Sequence, residues 1–131
     1  MRILIADDHE MVRKATKRIL QARPDFECAE ACSGNEAVEK AIELKPDLIV
    51  LDVSMPGVGG FDAAREIKRN LPAVPILFFS IYDDPEYLET AKSIGEGVVL
   101  KEQAGTTLLK AVDALLQRQT SFPCTRTSEP E

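Results

Sequence analysis

Two adjacent aspartates, Asp7 and Asp8, stand directly after the apolar run Ile3 to Ala6. Neighbouring carboxylates repel one another and resist desolvation, so a chain that delivers both to the end of a buried segment needs an opposite charge to receive them. A third aspartate, Asp52, follows the run Leu48 to Leu51. Ser80 follows Ile76 to Phe79, and Lys101 follows Val98 to Leu100. Three carboxylates share a pocket stably when a hard divalent cation sits among them, and Mg²⁺ takes a few carboxylate oxygens while keeping waters for a phosphorylated ligand. An aspartate is also a nucleophile that can form an aspartyl-phosphate, in a reaction governed mainly by positioning and by neutralising charge on the phosphoryl oxygens. Mg²⁺ and Lys101 would supply that neutralisation, and the Ser80 hydroxyl a neutral donor.

The elements that must position these groups are legible in the pattern. The four runs above, with a weaker one at Phe26 to Ala29, have the length and β-branched content of buried strands. Between them lie helical faces: Val12, Ala15 and Ile19; Ala37, Val38, Ala41 and Ile42; Phe61, Ala64, Ile67 and Leu71; a weaker Leu88, Ala91 and Ile94; and the clear stripe Leu108, Leu109, Val112, Leu115 and Leu116. Pro24, Pro46, "NLPAVP" and "IGEG" mark the ends of elements. Five strands alternating with five helices predict an α/β fold, a doubly wound parallel sheet with right-handed crossovers. In such sheets the reactive residues gather at the carboxyl ends of the strands. Asp7, Asp8, Asp52, Ser80 and Lys101 all fall there, while the second strand ends only in Cys32 and Ser33.

At 131 residues and 44% hydrophobic, the chain is one domain able to bury a core without disulfides or a structural metal. Its 22 acids against 16 bases, a formal charge of -6, argue against direct nucleic-acid binding, which needs a basic surface. No window reaches the length of a membrane span, and Met1 opens onto a charged residue and a strand-like run rather than a signal peptide, so the expected location is the cytoplasm. Cys28, Cys32 and Cys124 make an odd count with no C-x-x-C pair, which favours free thiols. The lone histidine, His9, reads as a helix-start residue, because one histidine does not make a metal site. "GVGG" lacks the lysine of a P-loop and reads as a turn.

The segments "ILIADDHEMVRK", "DLIVLDVSMPGVGGFDAAREI", "PILFFS" and "VVLKE" resemble the receiver domain of bacterial two-component response regulators, across residues 1 to 118. The middle segment is the most specific, since Met55, Pro56 and Gly60 follow Asp52 at the family's spacing. The resemblance implies a five-stranded flavodoxin-like sheet of order 2-1-3-4-5. It implies Asp52 as phosphoacceptor, Mg²⁺ held by Asp8, Asp52 and the Ser54 carbonyl with Asp7 acting through water, and Lys101 and Ser80 on the phosphoryl oxygens. The implied phosphodonor is a histidine kinase, and the implied output surface is the fourth helix, fifth strand and fifth helix, with a homodimer as a further possibility. "DDHEMVRK" and Lys101-Glu102 look most like receivers fused to helix-turn-helix (LuxR-type) output domains, an analogy pointing to transcription control. Residues 119–131 read as a polar tail or the start of a linker.

Two positions depart from the family pattern. Val98 stands where an aromatic ring commonly reports phosphorylation, with Tyr82 and Tyr87 nearby as substitutes or as packing residues. Ile81 stands where many receivers carry a small side chain, and is expected to narrow access to the pocket. Taken singly, Asp7 and Asp8 are explained by the helix dipole, Asp52 by a turn, and Lys101 by solvation at a strand end. Their coincidence at one rim favours a phosphorylation switch that is not an enzyme in the ordinary sense. The alternatives are a pseudo-receiver acting only as a protein-interaction module, and an aspartyl phosphohydrolase. The last is disfavoured because Ser54, rather than a second acid, follows Asp52 by two residues.

Overall fold

A computed structural model describes residues 1–121 except Pro56 and Tyr82, with 118–121 described through the backbone alone. The elements are β1 (Arg2–Ala6), α1 (Glu10–Leu20), β2 (Glu27–Ala31), α2 (Gly34–Leu44), β3 (Leu48–Asp52), α3 (Gly60–Asn70), β4 (Ile76–Ser80), α4 (Pro85–Ile94), β5 (Gly97–Leu100) and α5 (Leu109–Ser121). All strand pairs are parallel and the sheet order is β2-β1-β3-β4-β5, as the resemblance implied.

Because successive strand residues point to opposite faces, each apolar run feeds two cores. Leu4, Ile49, Leu51, Ile76 and Phe78 face Ala37, Ala41, Ala63, Ala64, Ile67 and Ala91 of α2, α3 and α4. Ile3, Ile5, Val50, Leu77 and Phe79 face Leu20, Val112, Leu115 and Leu116 of α1 and α5. Ile3, Leu4 and Ile5 are wholly buried, each burial stabilising the fold by about 1.5–3 kcal/mol. The rim residues are thus anchored by the most deeply buried segments in the molecule.

Several local expectations shift. β2 runs Glu27–Ala31 rather than Phe26 to Ala29, because its backbone pairs in register with β1 from Arg2↔Glu27 to Ala6↔Ala31, and that ladder outweighs the apolar pattern of an edge strand. Ala15 is exposed. The inward face of α1 is instead Val12, Thr16, Ile19 and Leu20, and Thr16 can be buried because its hydroxyl donates to the Val12 carbonyl at 2.7 Å. Ile42 is likewise partly exposed. α5 is preceded by a 3₁₀ turn, Lys101–Gln103, and a π-helical stretch, Ala104–Leu108, and it continues to Ser121, past the point where the apolar period stops.

Ser33 was not singled out from the sequence, yet it caps α2. Its Oγ accepts from the Glu36 amide at 3.1 Å, and Glu36 Oε1 accepts from the Cys32 amide at 2.7 Å. Ser followed three residues later by Glu is a capping-box spacing, though here Glu36 takes the amide of Cys32, one residue before the cap, rather than that of Ser33.

Candidate functional site

The carboxyl ends of β1, β3, β4 and β5 lie side by side at one edge of the sheet. Asp7 follows β1 by one residue and is 1% exposed, Asp52 is the last residue of β3 at 4%, and Ser80 the last of β4 at 2%. Asp52 pairs in register with Phe79, so Ser80 stands one step further along the neighbouring strand. Lys101 follows β5 by one residue. Asp8, His9, Val12, Asp52, Ser54, Met55, Ile81 and Lys101 surround an open cleft of about 660 Å³.

Ligand atoms of Asp7, Asp8, His9 and Asp52 all lie within 4.8 Å of one another. Lys101 Nζ stands 2.8 Å from Asp7 Oδ2 and 3.3 Å from Asp52 Oδ1, and its ammonium sits 5.7 Å from the centre of the Phe79 ring. The Ser54 amide approaches Asp52 Oδ1 at 3.4 Å, and the His9 amide donates to Asp7 Oδ1 at 2.9 Å. Burial, and then the neighbouring Asp7 charge, push the Asp52 carboxyl up from its ordinary 3.8 to about 6, with Lys101 pulling the other way. Burial on its own would lower the Lys101 pKa, but its hydrogen bond to Asp7 and the charges of Asp52 and Asp7 outweigh that and hold it above the ordinary lysine value.

These groups fit a divalent cation. The buried Asp7 Oδ2 is partnered by the Lys101 ammonium at 2.8 Å. One ammonium faces three carboxylates, which leaves negative charge that a hard oxygen-seeking ion would offset.

The backbone around the site is tightly constrained. Gly60, the first residue of α3, packs so closely on the Asp52 loop that a Cβ there would lie 2.1 Å from the Asp52 carbonyl oxygen and 2.7 Å from Val53 Cα. Its amide donates to the Val53 carbonyl at 2.9 Å. Gly57 takes φ +72°, the left-handed conformation that a turn out of β3 requires. Pro56, the other residue of this spacing, lies outside the described residues.

Two contributors went unrecognised in the sequence. Arg13 of α1 donates to the Asp7 carbonyl at 2.8 Å and to Glu30 Oε1 of β2 at 3.1 Å, and Lys14 and Lys17 also pair with Glu30. The i to i+6 spacing of Asp7 and Arg13 carries no signal until α1 folds back over β2. His9 is the N-cap of α1, as expected, but its ring also lies 3.1 Å from Asp8 Oδ1 and 3.3 Å from Asp7 Oδ1. Among the aromatic candidates near the switch position, Tyr87 lies against Phe61 at 6.2 Å, while Tyr82 falls outside the described residues. Val98 is half-buried against the α2, α3 and α4 core.

A doubly wound sheet with an acid cluster, a hydroxyl and an ammonium at its carboxyl rim defines a class, and the comparisons with known proteins agree with it. Residues 3–113 match the response regulator receiver domain, and the chain belongs to that family. It is 38% identical over 119 residues to the transcriptional regulatory protein DegU of Brevibacillus brevis, covering 89% of this chain and 50% of DegU. It is 40% identical over 123 residues to the oxygen regulatory protein NreC of Staphylococcus epidermidis, covering 92% and 56%. The chain thus spans about half the length of these relatives. A LuxR-family two-component response regulator from Aurantimonas superposes with a TM-score of 0.85 at 33% identity, over 89% of this chain and 85% of that one. Among the described residues, no helix is long and apolar enough to cross a membrane.

Proposed function

We propose that this chain is a phosphorylation switch in which Asp52 accepts a phosphoryl group from a phosphohistidine of a histidine kinase. An Asp52 oxygen forms the new O–P bond as the N–P bond of the donor breaks, and the electron pair returns to the donor imidazole. The observation that carries this reading is the convergence of Asp7, Asp8 and Asp52 within one ligand-sized cluster, under Lys101 at ion-pair distance. Asp8, Asp52 and the Ser54 carbonyl would hold Mg²⁺, with Asp7 acting through water. When bound, that ion would neutralise charge on the incoming phosphoryl oxygens.

The side chains supply the rest. Asp52, an anion in the working pH range, is its own nucleophile and needs no general base. Lys101 moves its ammonium from Asp7 towards the new phosphoryl charge, and Ser80 donates its hydroxyl to a phosphoryl oxygen. That pull on β4 biases the segment leading into α4, so that the face made by α4, β5 and α5 changes its affinity for an output domain, a regulated protein or a second copy. Val98 is not a ring, so this readout does not use a rotating aromatic at that position. DegU and NreC carry regulatory names, and by likeness to them the output is control of transcription.

The test is to incubate the protein with Mg²⁺ and acetyl phosphate and weigh it intact. The expected result is a gain of one phosphoryl group that disappears in Asp52→Asn and with chelator. No gain in the wild type would make the chain a pseudo-receiver that acts by protein contact alone.

A further inference from the structure

Arg13, on the first turn of α1, ties together three pieces of chain that meet beside the acid cluster. Its Nε donates to Glu30 Oε1 of β2 at 3.1 Å and its Nη1 to the Asp7 carbonyl at 2.8 Å, while its amide donates to the His9 carbonyl at 3.0 Å. One residue thus closes the loop between β1 and α1 twice. With side-chain exposures of 14% and 18%, Arg13 and Glu30 are too enclosed to be an ordinary surface ion pair. Lys14 and Lys17 hold Glu30 as well. Burial on its own would raise the Glu30 carboxyl, but its bonds to Lys14 and Arg13 bring it below the usual glutamate value, so the anchor is an anion at neutral pH.

The parallel ladder of β1 and β2 runs to Ala6↔Ala31 and is extended by the Asp7 amide, which donates to the Ala31 carbonyl at 3.0 Å. The Asp7 carbonyl lies past that ladder and is held by Arg13 instead. It belongs to the same planar unit as the Asp8 amide, so fixing its direction fixes how the chain leaves β1 at Asp8. The Asp7 carboxylate has fixings of its own, the His9 amide and Lys101, so the Arg13 contact bears chiefly on Asp8.

We propose that Arg13 is a positioning residue of the cation site: its guanidinium, anchored on Glu30, orients the peptide between Asp7 and Asp8 so that the Asp8 carboxylate is presented towards Asp52. The inference rests on the cation site of the proposed function and concerns what holds that site in shape. The sign of the effect separates positioning from charge. A guanidinium near a cation site repels the cation, so removing it for its charge alone strengthens Mg²⁺ binding. Removing a positioning group weakens binding instead, because Mg²⁺ demands near-ideal octahedral geometry. Ca²⁺, whose coordination is looser, suffers less.

Calorimetric titration of the metal-free protein with Mg²⁺ and with Ca²⁺ tests this. Arg13→Met keeps an apolar stem, and should weaken Mg²⁺ binding by about tenfold or more and Ca²⁺ binding by less. Labelling by acetyl phosphate should then need correspondingly more Mg²⁺ for its half-maximal rate, with the rate at saturating Mg²⁺ changed by less than about twofold. Lys14→Met removes a positive charge from the same Glu30 while the Arg13 contact with Asp7 stays, and should leave Mg²⁺ affinity unchanged or slightly higher. Arg13→Lys keeps the charge but loses the fixed fork of donors, and should still weaken Mg²⁺ severalfold. It decides the matter if a thermal melt shows Arg13→Met to be unfolded.

Unchanged or tighter Mg²⁺ binding in the Arg13 variants, or an equal loss in Lys14→Met, overturns the inference. If the wild type binds Mg²⁺ and gains a phosphoryl group in that case, only the role of Arg13 has failed. If it takes up neither Mg²⁺ nor phosphate, the proposed function has failed with it.

Discussion

Lys101, just beyond β5, reaches over the ends of the two intervening strands to Asp7, just beyond β1, with Nζ 2.8 Å from Oδ2. The ammonium thereby spans the acid cluster like a strap and lies nearer to Asp7 than to the proposed phosphoacceptor. Two consequences can be measured. Lys101→Met leaves buried carboxylates without their cation, and should lower stability by about 2 kcal/mol in chelator, less than a fully buried pair would cost because the cleft is open. Millimolar Mg²⁺ should restore most of that loss, while labelling by acetyl phosphate should slow by about tenfold or more. Chemical denaturation with and without Mg²⁺ reads the first, and intact mass against time the second.

Asp52, pushed up to about 6 by burial and by Asp7, gives a pH dependence of definite sign. Its folded value lies above its unfolded one, so ionising it costs the folded state. That cost is absent below about pH 4, where both states are protonated, grows as pH rises, and is complete above about pH 6. Asp52→Asn should therefore stabilise the metal-free protein at neutral pH by about 1–2 kcal/mol after allowance for solvent screening. The gain should vanish as pH falls towards 4. A gain that persists at pH 4, followed by urea unfolding across this range, would contradict the electrostatic origin.

Gly60 permits the close approach of α3 to the Asp52 loop. Gly60→Ala brings a methyl within 2.1 Å of the Asp52 carbonyl, and either α3 or the loop must move. The expected loss is about 2 kcal/mol or more, with weakened Mg²⁺ affinity because the Asp52 backbone shifts. Gly105→Ala is the control, since nothing lies within 4 Å of its Cβ position and it should be neutral or slightly stabilising. Equal melting temperatures for the two variants would show that the packing at position 60 relaxes freely.

Ile81 forms part of the cleft wall and is 69% exposed. On the proposed reading, its bulk would narrow the approach of phosphodonor and of hydrolytic water. Ile81→Ala should raise both the rate of acetyl phosphate labelling and the rate of phosphoryl loss, with stability little changed because the side chain is mostly solvated. Unchanged rates in both directions would remove Ile81 from any gating role.

The frame of this protein was readable before any coordinate. The apolar runs through Leu4, Leu51 and Phe78 alternate with helical stripes, and only a doubly wound parallel sheet buries both. Since such a sheet gathers its strand ends at one rim, the positions of Asp7, Asp52, Ser80 and Lys101 followed from their place in the chain. Edges were less legible. β2 is displaced because its partner β1, not its own composition, sets the register, and Thr16 rather than Ala15 faces inward because its hydroxyl is satisfied within the helix.

What residue order determined by itself is which acids, hydroxyl and ammonium end the strands, and which strand delivers each, because local periodicity and chain connectivity decide both. What only the tertiary structure decided is who stands next to whom: that Lys101 pairs most closely with Asp7, that Arg13 crosses to the Asp7 carbonyl, and that the largely exposed His9 ring lies beside Asp8 and Asp7. Distances of this kind depend on how helices pack across the sheet and on which way each side chain turns. Neither is written in the spacing of a linear sequence.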